Sequence, residues 1–280
     1  MARESAARRL LGDRAAVAGL ALVGLLAVSA GLAPALTAHD PTAVSLARAQ
    51  EGPGPGHPLG TDEVGRDILS RLLHGARVSL LTGVVAVAVA LACGLPIGLA
   101  AGWRSGPLDI ALTGLMDVLL AFPTLLLAIL VVTILGPGAG SAMLAVGVSS
   151  VPVFARLVRA TTLATREADF VTAARAAGAA PARLLWRHVL PNTLSPLVVQ
   201  STLRVATAIL TAAGLGFLGL GAQPPAAEWG LMLSQGRAYL QTAPHIVLFP
   251  SLAIMLAVLG FNLLGEGLND ALNPRLRGSR

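Results

Sequence analysis

Val78-Ser-Leu-Leu-Thr-Gly-Val-Val-Ala-Val-Ala-Val-Ala-Leu-Ala-Cys-Gly-Leu-Pro-Ile-Gly-Leu-Ala-Ala-Gly102 contains no charged residue. About 20 such residues wound as a helix cross the hydrocarbon core of a bilayer, where only helices and closed barrels satisfy their own backbone polar groups. Working outward from it, five more apolar runs follow the same logic: Ala15 to Thr37, Leu108 to Leu135, a shorter Gly140 to Phe154, Leu194 to Leu220, and Ile246 to Leu264. The reading is an all-α polytopic membrane protein of about six transmembrane helices. Its fourth span is the weakest, being short and interrupted by Ser149, Ser150 and Pro152.

Composition agrees. Only 12% of the 280 residues are charged and 55% are hydrophobic, whereas a soluble domain carries about 25% charge. A lone Cys93 excludes a disulfide scaffold and a cysteine metal site. The net charge of +6 comes from 20 basic residues, all of them Arg. With the N-terminus inside, Arg48, Arg66, Arg71, Arg77 and Arg237 fall outside, Arg204 lies within the fifth run, and the other fourteen fall inside. That asymmetry follows the positive-inside rule, so the basic charge reports topology rather than nucleic acid, and both termini are expected in the cytoplasm. The first run also resembles a signal peptide ending at Ala33-Pro34-Ala35, but its length and the Pro favour an uncleaved anchor.

Residues 1–77 read as an N-terminal anchor followed by an extracytoplasmic segment, and 78–280 as the main transmembrane unit. The outer segment contains a flexible Glu51-Gly-Pro-Gly-Pro-Gly56. From Asp62 it predicts an amphipathic interfacial helix, capped by Thr61 or Asp62, with Val64, Ile68, Leu69, Leu72 and Leu73 on one face and its charges towards water.

The longest inside connection, about residues 161–193, is the most informative. Ala-rich sequence favours helix up to Ala177, Gly178 stops it, and Ala180-Pro181 starts another. Leu184, Leu185 and Val189 then form an apolar stripe before Leu190-Pro191 ends the second helix. Small residues at 173, 174, 176 and 177 admit another protein's backbone, as a protrusion meeting a cytosolic motor requires; an ordinary Ala-rich amphipathic loop is the plainer alternative.

Thr172-Ala-Ala-x-x-x-Gly178 followed by Leu190-Pro191 resembles the EAA loop of binding-protein-dependent ABC importer permeases. Gly60 to Leu80 (Gly-Thr-Asp-x-x-Gly-Arg-Asp-x-x-Ser-Arg-x-x-x-Gly-Ala-Arg-x-Ser-Leu) is similar to the N-terminal signature of the C-type subunit of dipeptide, oligopeptide and nickel importers. Ala121-Phe-Pro-Thr-Leu125, Phe217-Leu-Gly-Leu-Gly221, Glu228-Trp-Gly230 and Gly265-Glu-Gly-Leu-Asn-Asp-Ala-Leu-Asn-Pro274 extend the match. Departures from the pattern are Thr172, Ala212, His245 and Ser251.

The resemblance implies the ABC importer type I permease fold, a homologous B-type permease as partner in a heterodimer, two cytosolic ATPase subunits and an extracytoplasmic solute-binding protein. It implies that the loop docks on an ATPase, through Thr172, Ala173, Ala174, Arg175, Gly178, Ala179, Ala180, Arg183, Leu190 and Pro191. The cargo implied is a peptide or related small solute. ATP and Mg would be bound by the ATPases. The chain itself holds no Lys for a phosphate-binding Gly-x-x-x-x-Gly-Lys loop and no catalytic constellation, so it is read as a non-enzyme without cofactor or metal, in a plasma or inner membrane.

Three residues within the runs are candidates for the translocation path. Asp117 is an intramembrane acid, Arg204 offers it a partner, and Pro123 marks a kink; a structural role near an interface is the plainer reading of the charged pair. His57, His74 and His245 have no helix-face ligand spacing and read as surface residues. A secondary transporter would show inverted repeats, an intramembrane enzyme paired catalytic groups, and a channel a filter or charge rings; none is visible.

Overall fold

The computed structural model describes residues 6–272, and every element in that range is helical apart from an isolated bridge between Thr61 and Asp67. In chain order these are α1 (Ala6–Gly12), α2 (Arg14–Gly31), α3 (Ala33–Leu36), α4 (Ile68–Trp103), α5 (Pro107–Ala121), α6 (Thr124–Leu135), α7 (Ala139–Arg166), α8 (Asp169–Ala176), α9 (Pro181–Leu184), α10 (Leu190–Phe217), α11 (Trp229–Gly236) and α12 (His245–Leu272). A π-helical turn, Leu185–Val189, joins α9 to α10. Arg3, Arg275, Arg277 and Arg280, four of the cations assigned to the inside, and Pro274 of the last motif lie outside the described residues.

Five helical stretches are long and apolar enough to span a membrane: α2, α4, α7, the stretch Pro181–Phe217 and α12. The third apolar run makes the sixth in a broken form. It divides into α5 and α6, which meet at 97°. Pro123 has no N–H to continue α5 and pushes Phe122 into extended backbone (φ −86°, ψ 136°). The expected kink is therefore a corner.

The fourth run is not short. It forms 28 residues of α7 with Pro152 inside the helix. Its serines are absorbed locally, since Ser149 Oγ and Ser150 Oγ both donate to the Val146 carbonyl, each at 2.9 Å. Buried in protein, those hydroxyls do not face hydrocarbon, so the hydropathy of the run understates its length.

Helices α4 and α7 make the principal packing of the fold. Gly94, Gly98 and Gly102 recur every four residues on α4, against Phe154, Ala155, Val158 and Thr162 of α7. A Cβ on any of them would press into α7 backbone or side-chain atoms. Small residues at this spacing let membrane helices approach closely, and dispersion contacts then hold them where no hydrophobic driving force exists between helices. A similar approach docks α2 on α12, where Gly267 faces Ala16 and Gly19 faces the Leu264 backbone. The first span is thus packed into the bundle.

The outer segment differs from its sequence-based expectation. Asp67, not Thr61 or Asp62, caps α4: its Oδ2 accepts from Ser70 N at 2.7 Å. Residues 62–65 form a turn instead, with Asp62 Oδ1 accepting the N–H groups of Val64 and Arg66. From Ile68 the helix runs unbroken for 36 residues, so residues 77 and 78 share one helix.

At the same end, the chain after α10 turns back as α11. Glu228 caps it, accepting from Gly230 N at 2.9 Å and Leu231 N at 2.8 Å, while Trp229 is fully buried and donates its Nε1 to the Leu72 carbonyl at 3.0 Å. Burial pushes the Glu228 carboxyl above its ordinary range. Glu228→Ala leaves two buried N–H groups without acceptors and should cost about 2–4 kcal/mol. Thermal unfolding of the purified protein in detergent checks this; Glu228→Gln, which keeps one acceptor oxygen, should recover part of the loss.

Candidate coupling segment and membrane path

The exposed connection between α7 and α10 is built by local chemistry. α7 stops at Arg166, and Ala168 is extended (φ −71°, ψ 146°), so the single helix expected up to Ala177 is instead two. Asp169 opens α8, where a carboxylate suits the helix N-terminus. At the other end Gly178 adopts φ +84°. Its N–H bonds the Arg175 carbonyl at 3.0 Å, and Ala179 N bonds the Ala174 carbonyl at 3.1 Å. This pair of bonds is a Schellman cap. Ala180 then starts α9, with Pro181 in its first turn and Leu184 N bonding the Ala180 carbonyl at 3.0 Å.

The residues put forward for partner contact form one exposed surface. Thr172, Ala173, Arg175, Gly178, Ala180, Arg183 and Pro191 are exposed, and Ala174, Ala179 and Leu190 are half-buried. Val171, Leu184 and Val189 point the other way and are buried. Phe170 (49% exposed) and Trp186 (62% exposed) border the surface; neither was singled out by sequence reasoning, although an aromatic at the end of an Ala-rich helix is a usable signal.

Leu190-Pro191 does not end the helix, contrary to expectation. The stretch from Pro181 continues through the π-turn into α10. Leu190 N reaches back to the Leu185 carbonyl, and the wider turn accommodates the Pro ring, which an α-helix interior would reject. The α9 half of the protrusion is therefore continuous with a membrane helix.

Asp117 lies on α5 and pairs with Arg156 of α7, not with Arg204. About two turns earlier on α5, Asp109 Oδ1 and Oδ2 accept from Arg159 Nε and Nη2 at 2.6 and 2.8 Å. These two pairs flank a cleft of about 250 Å³ between α4, α5 and α7, lined also by Ile97, Leu112 and Met116. Both Asp117 and Arg156 remain more than half exposed. Arg204 sits midway along α10, half-buried, with no hydrogen-bond or ion-pair partner among the described residues. Pro123 stands exposed at the α5–α6 corner.

The charges expected to face water in the outer segment are instead buried together. Arg66 Nε binds Asp62 Oδ2 at 2.6 Å and its Nη2 binds Glu63 at 2.6 Å. Arg71, 1% exposed, lies 3.3 Å from Asp62 and donates to the Ala226 carbonyl and to Gln235, each at 3.2 Å. Burial beside Asp62 raises the Glu63 carboxyl, and the Thr42 hydroxyl and N–H lower that of Asp40. The knot ties the outer segment to α4 and α11. Sequence reasoning missed it because only the return of α11 makes the site dry.

His57 is likewise buried, not a surface residue, while His74 and His245 are half-buried. His39, His57 and Asp67 offer ligand atoms within 4.8 Å of one another. Both His57 nitrogens are already engaged, Nδ1 by Asp67 at 2.8 Å and Nε2 by the Arg48 guanidinium at 3.1 Å. A neutral imidazole accepting from Arg and donating to Asp is fully satisfied, and the adjacent guanidinium opposes a cation. The geometry is a hydrogen-bond relay.

The chain thus combines a broken third span, a capped helical protrusion leading into a membrane helix, and a buried knot of charges between Asp62 and Arg71. A family described as "Binding-protein-dependent transport system inner membrane component" matches residues 94–278. The chain belongs to this family. Residues 3–53 further match "N-terminal TM domain of oligopeptide transport permease C". The chain is 45% identical over 270 residues to the dipeptide transport system permease protein DppC of Alkalihalophilus pseudofirmus, covering 96% of this chain and 89% of that one. To the glutathione transport system permease protein GsiD of Pectobacterium atrosepticum it is 46% identical, covering 96% and 90%.

Among solved structures, the MetNI methionine ABC transporter in inward-facing conformations gives a TM-score of 0.59 at 21% identity, over 72% of this chain and 96% of that chain. An amino acid ABC transporter gives 0.56 at 16% identity, over 70% and 91%. These share the fold of this inner-membrane component. It is accordingly a multi-pass ABC importer permease and not a secondary transporter.

Proposed function

We propose that the chain is the C-type permease subunit of an ATP-driven importer of peptides or related small solutes, with both termini in the cytoplasm. It works with a homologous B-type permease, two ATPases that bind ATP and Mg, and an extracytoplasmic solute-binding protein. Residues 1–77 anchor and cap the extracytoplasmic end, and 78–280 form the translocating unit. Asp117, Pro123 and Arg204 border the path. The surface from Thr172 through Arg183, with Leu190 and Pro191 at its base, meets an ATPase.

The observation that carries this reading is the exposed α8–Gly178–α9 protrusion, whose α9 half is in helical continuity with α10. A force applied on α9, at Pro181 or Arg183, is delivered to a membrane helix without a break in the helix. Relatives named for dipeptide and glutathione transport support the class of cargo. Co-purification from native membranes should recover a second permease and ATPases, and a dipeptide with its binding protein should stimulate ATP hydrolysis several-fold. A lone chain carrying out complete transport on an ion gradient would overturn the proposal.

A further inference from the structure

Half-way along α10, four polar residues recur at i, i+4, i+7 and i+11: Gln200, Arg204, Thr207 and Thr211. This spacing places them on one helix face, over about 16 Å at 1.5 Å per residue. The opposite face, with Val205, Ala208, Ile209, Ala212 and Ala213, is buried against the bundle. The polar stripe is not. Thr207 is exposed, and Gln200, Arg204 and Thr211 are only half-buried.

Arg204 is the anomaly. Asp117 is committed to Arg156, Asp109 to Arg159 and Glu228 to the N-terminus of α11, while Glu266 and Asp270 of the neighbouring α12 are exposed and form no ion pair with Arg204. An arginine on a membrane helix faces a bundle interior or a watery cavity and is paired there, because hydrocarbon penalises the bare charge. Helix–helix contacts in a membrane accept small residues, hydroxyls and amides, so the mark of this face is the guanidinium without a counter-charge that stands among them. Thr211 Oγ donates to the Thr207 carbonyl at 2.9 Å, leaving its lone pairs free.

We infer that this stripe faces the aqueous path and that Arg204 is a station for the carboxylate of the passing solute, with Gln200 and Thr207 hydrogen-bonding beside it. The inference rests on the proposed import of peptide-like solutes and adds to it the anionic group by which the membrane part holds its cargo. A guanidinium binds a carboxylate through two parallel N–H···O bonds. With no internal counter-ion to displace, the solute supplies the missing charge.

Two measurements test it in the complete transporter. The first needs no cargo. In a Cys93→Ser background, Arg204→Cys and Thr207→Cys should react with a small membrane-impermeant sulfonate thiol reagent at least tenfold faster than Val198→Cys, an exposed position of α10 away from the stripe. Equal, slow reaction at all three positions would overturn the inference whatever the solute.

The second compares uptake of alanyl-alanine and its C-terminal amide, each at concentrations saturating the binding protein. Arg204→Gln should lower uptake of the acid at least tenfold and of the amide less than threefold, while Arg204→Lys keeps at least a third of the acid uptake. Unchanged acid uptake by Arg204→Gln, or an equal fall for both probes, would overturn the carboxylate station. If the wild-type complex takes up neither probe while Arg204→Cys still reacts fast, the peptide reading fails and not the exposure of the stripe.

Discussion

Gly75→Ala should destabilise the protein by about 3 kcal/mol or more, a large effect for one methyl group. Gly75 lies on α4 where the chain before α11 crosses it, and a Cβ there would overlap the Ala227 carbonyl oxygen, with the Trp229 ring 3.3 Å away. Neither neighbour can retreat. Ala227 is held between the Arg71 bond to the Ala226 carbonyl and the Glu228 cap of α11, and Trp229 is fully buried and hydrogen-bonded to Leu72. Overlap with backbone thus forces α11 away from α4 and opens the buried knot of Asp62, Arg66 and Arg71. Gly114→Ala on α5, with nothing within 4 Å of the new Cβ, is the control and should be neutral or stabilising by about 1 kcal/mol through helix propensity. Thermal unfolding in detergent compares the two. Gly75→Ala melting with the wild type would show that the approach of Ala227 is not a fixed feature.

Gly178→Pro should abolish uptake, to below about a tenth of wild type, without lowering the amount of protein in the membrane. Pro requires φ near −65°, whereas position 178 stands at +84°, and Pro also removes the N–H that bonds the Arg175 carbonyl. Both break the cap of α8, and α9 can no longer hold its angle. Space is not the issue within the chain, since a Cβ at 178 meets nothing within 4 Å. Gly178→Trp therefore separates the causes. Its backbone strain is of order 1–2 kcal/mol, so a complete loss of ATPase co-purification would report a partner surface pressed against Gly178. Membrane abundance, co-purified ATPase and dipeptide uptake are the three readouts. Wild-type uptake by either variant would remove the protrusion from the coupling mechanism.

The difference between these two sites is also the difference between what could and could not be read from the chain. The cap at Gly178 is local. Helix-forming alanines, a residue free to take positive φ and Pro181 two residues beyond the following Ala are neighbours in sequence, so their consequence needs no knowledge of the fold. The apolar runs are legible for the same reason, because the bilayer thickness is an external ruler applied to consecutive residues. The corner at Pro123 is half legible: the break is local, but its 97° angle depends on how α5 and α6 each pack on α7.

Gly75, by contrast, is one of many glycines until Ala227, some 150 residues later, is laid across it. The charges from Asp62 to Arg71 read as a solvated face because burial is a property of what covers them, and the cover is α11 and the outer segment. Pairing follows the same rule. Asp117 chose Arg156 over Arg204 because α7, and not α10, is the helix beside α5 at that height, and electrostatic attraction falls too steeply with distance for a more remote partner to compete. The sequence by itself determined the membrane class and the helix–turn–helix that projects from it, which rest on hydropathy and stereochemistry over short stretches, and it pointed to the family through the resemblance of its motifs. The tertiary structure alone decided which charges are dry, which are paired and that Arg204 is left without a partner among the described residues, because desolvation and Coulomb energy are set by distances between helices that no local pattern encodes.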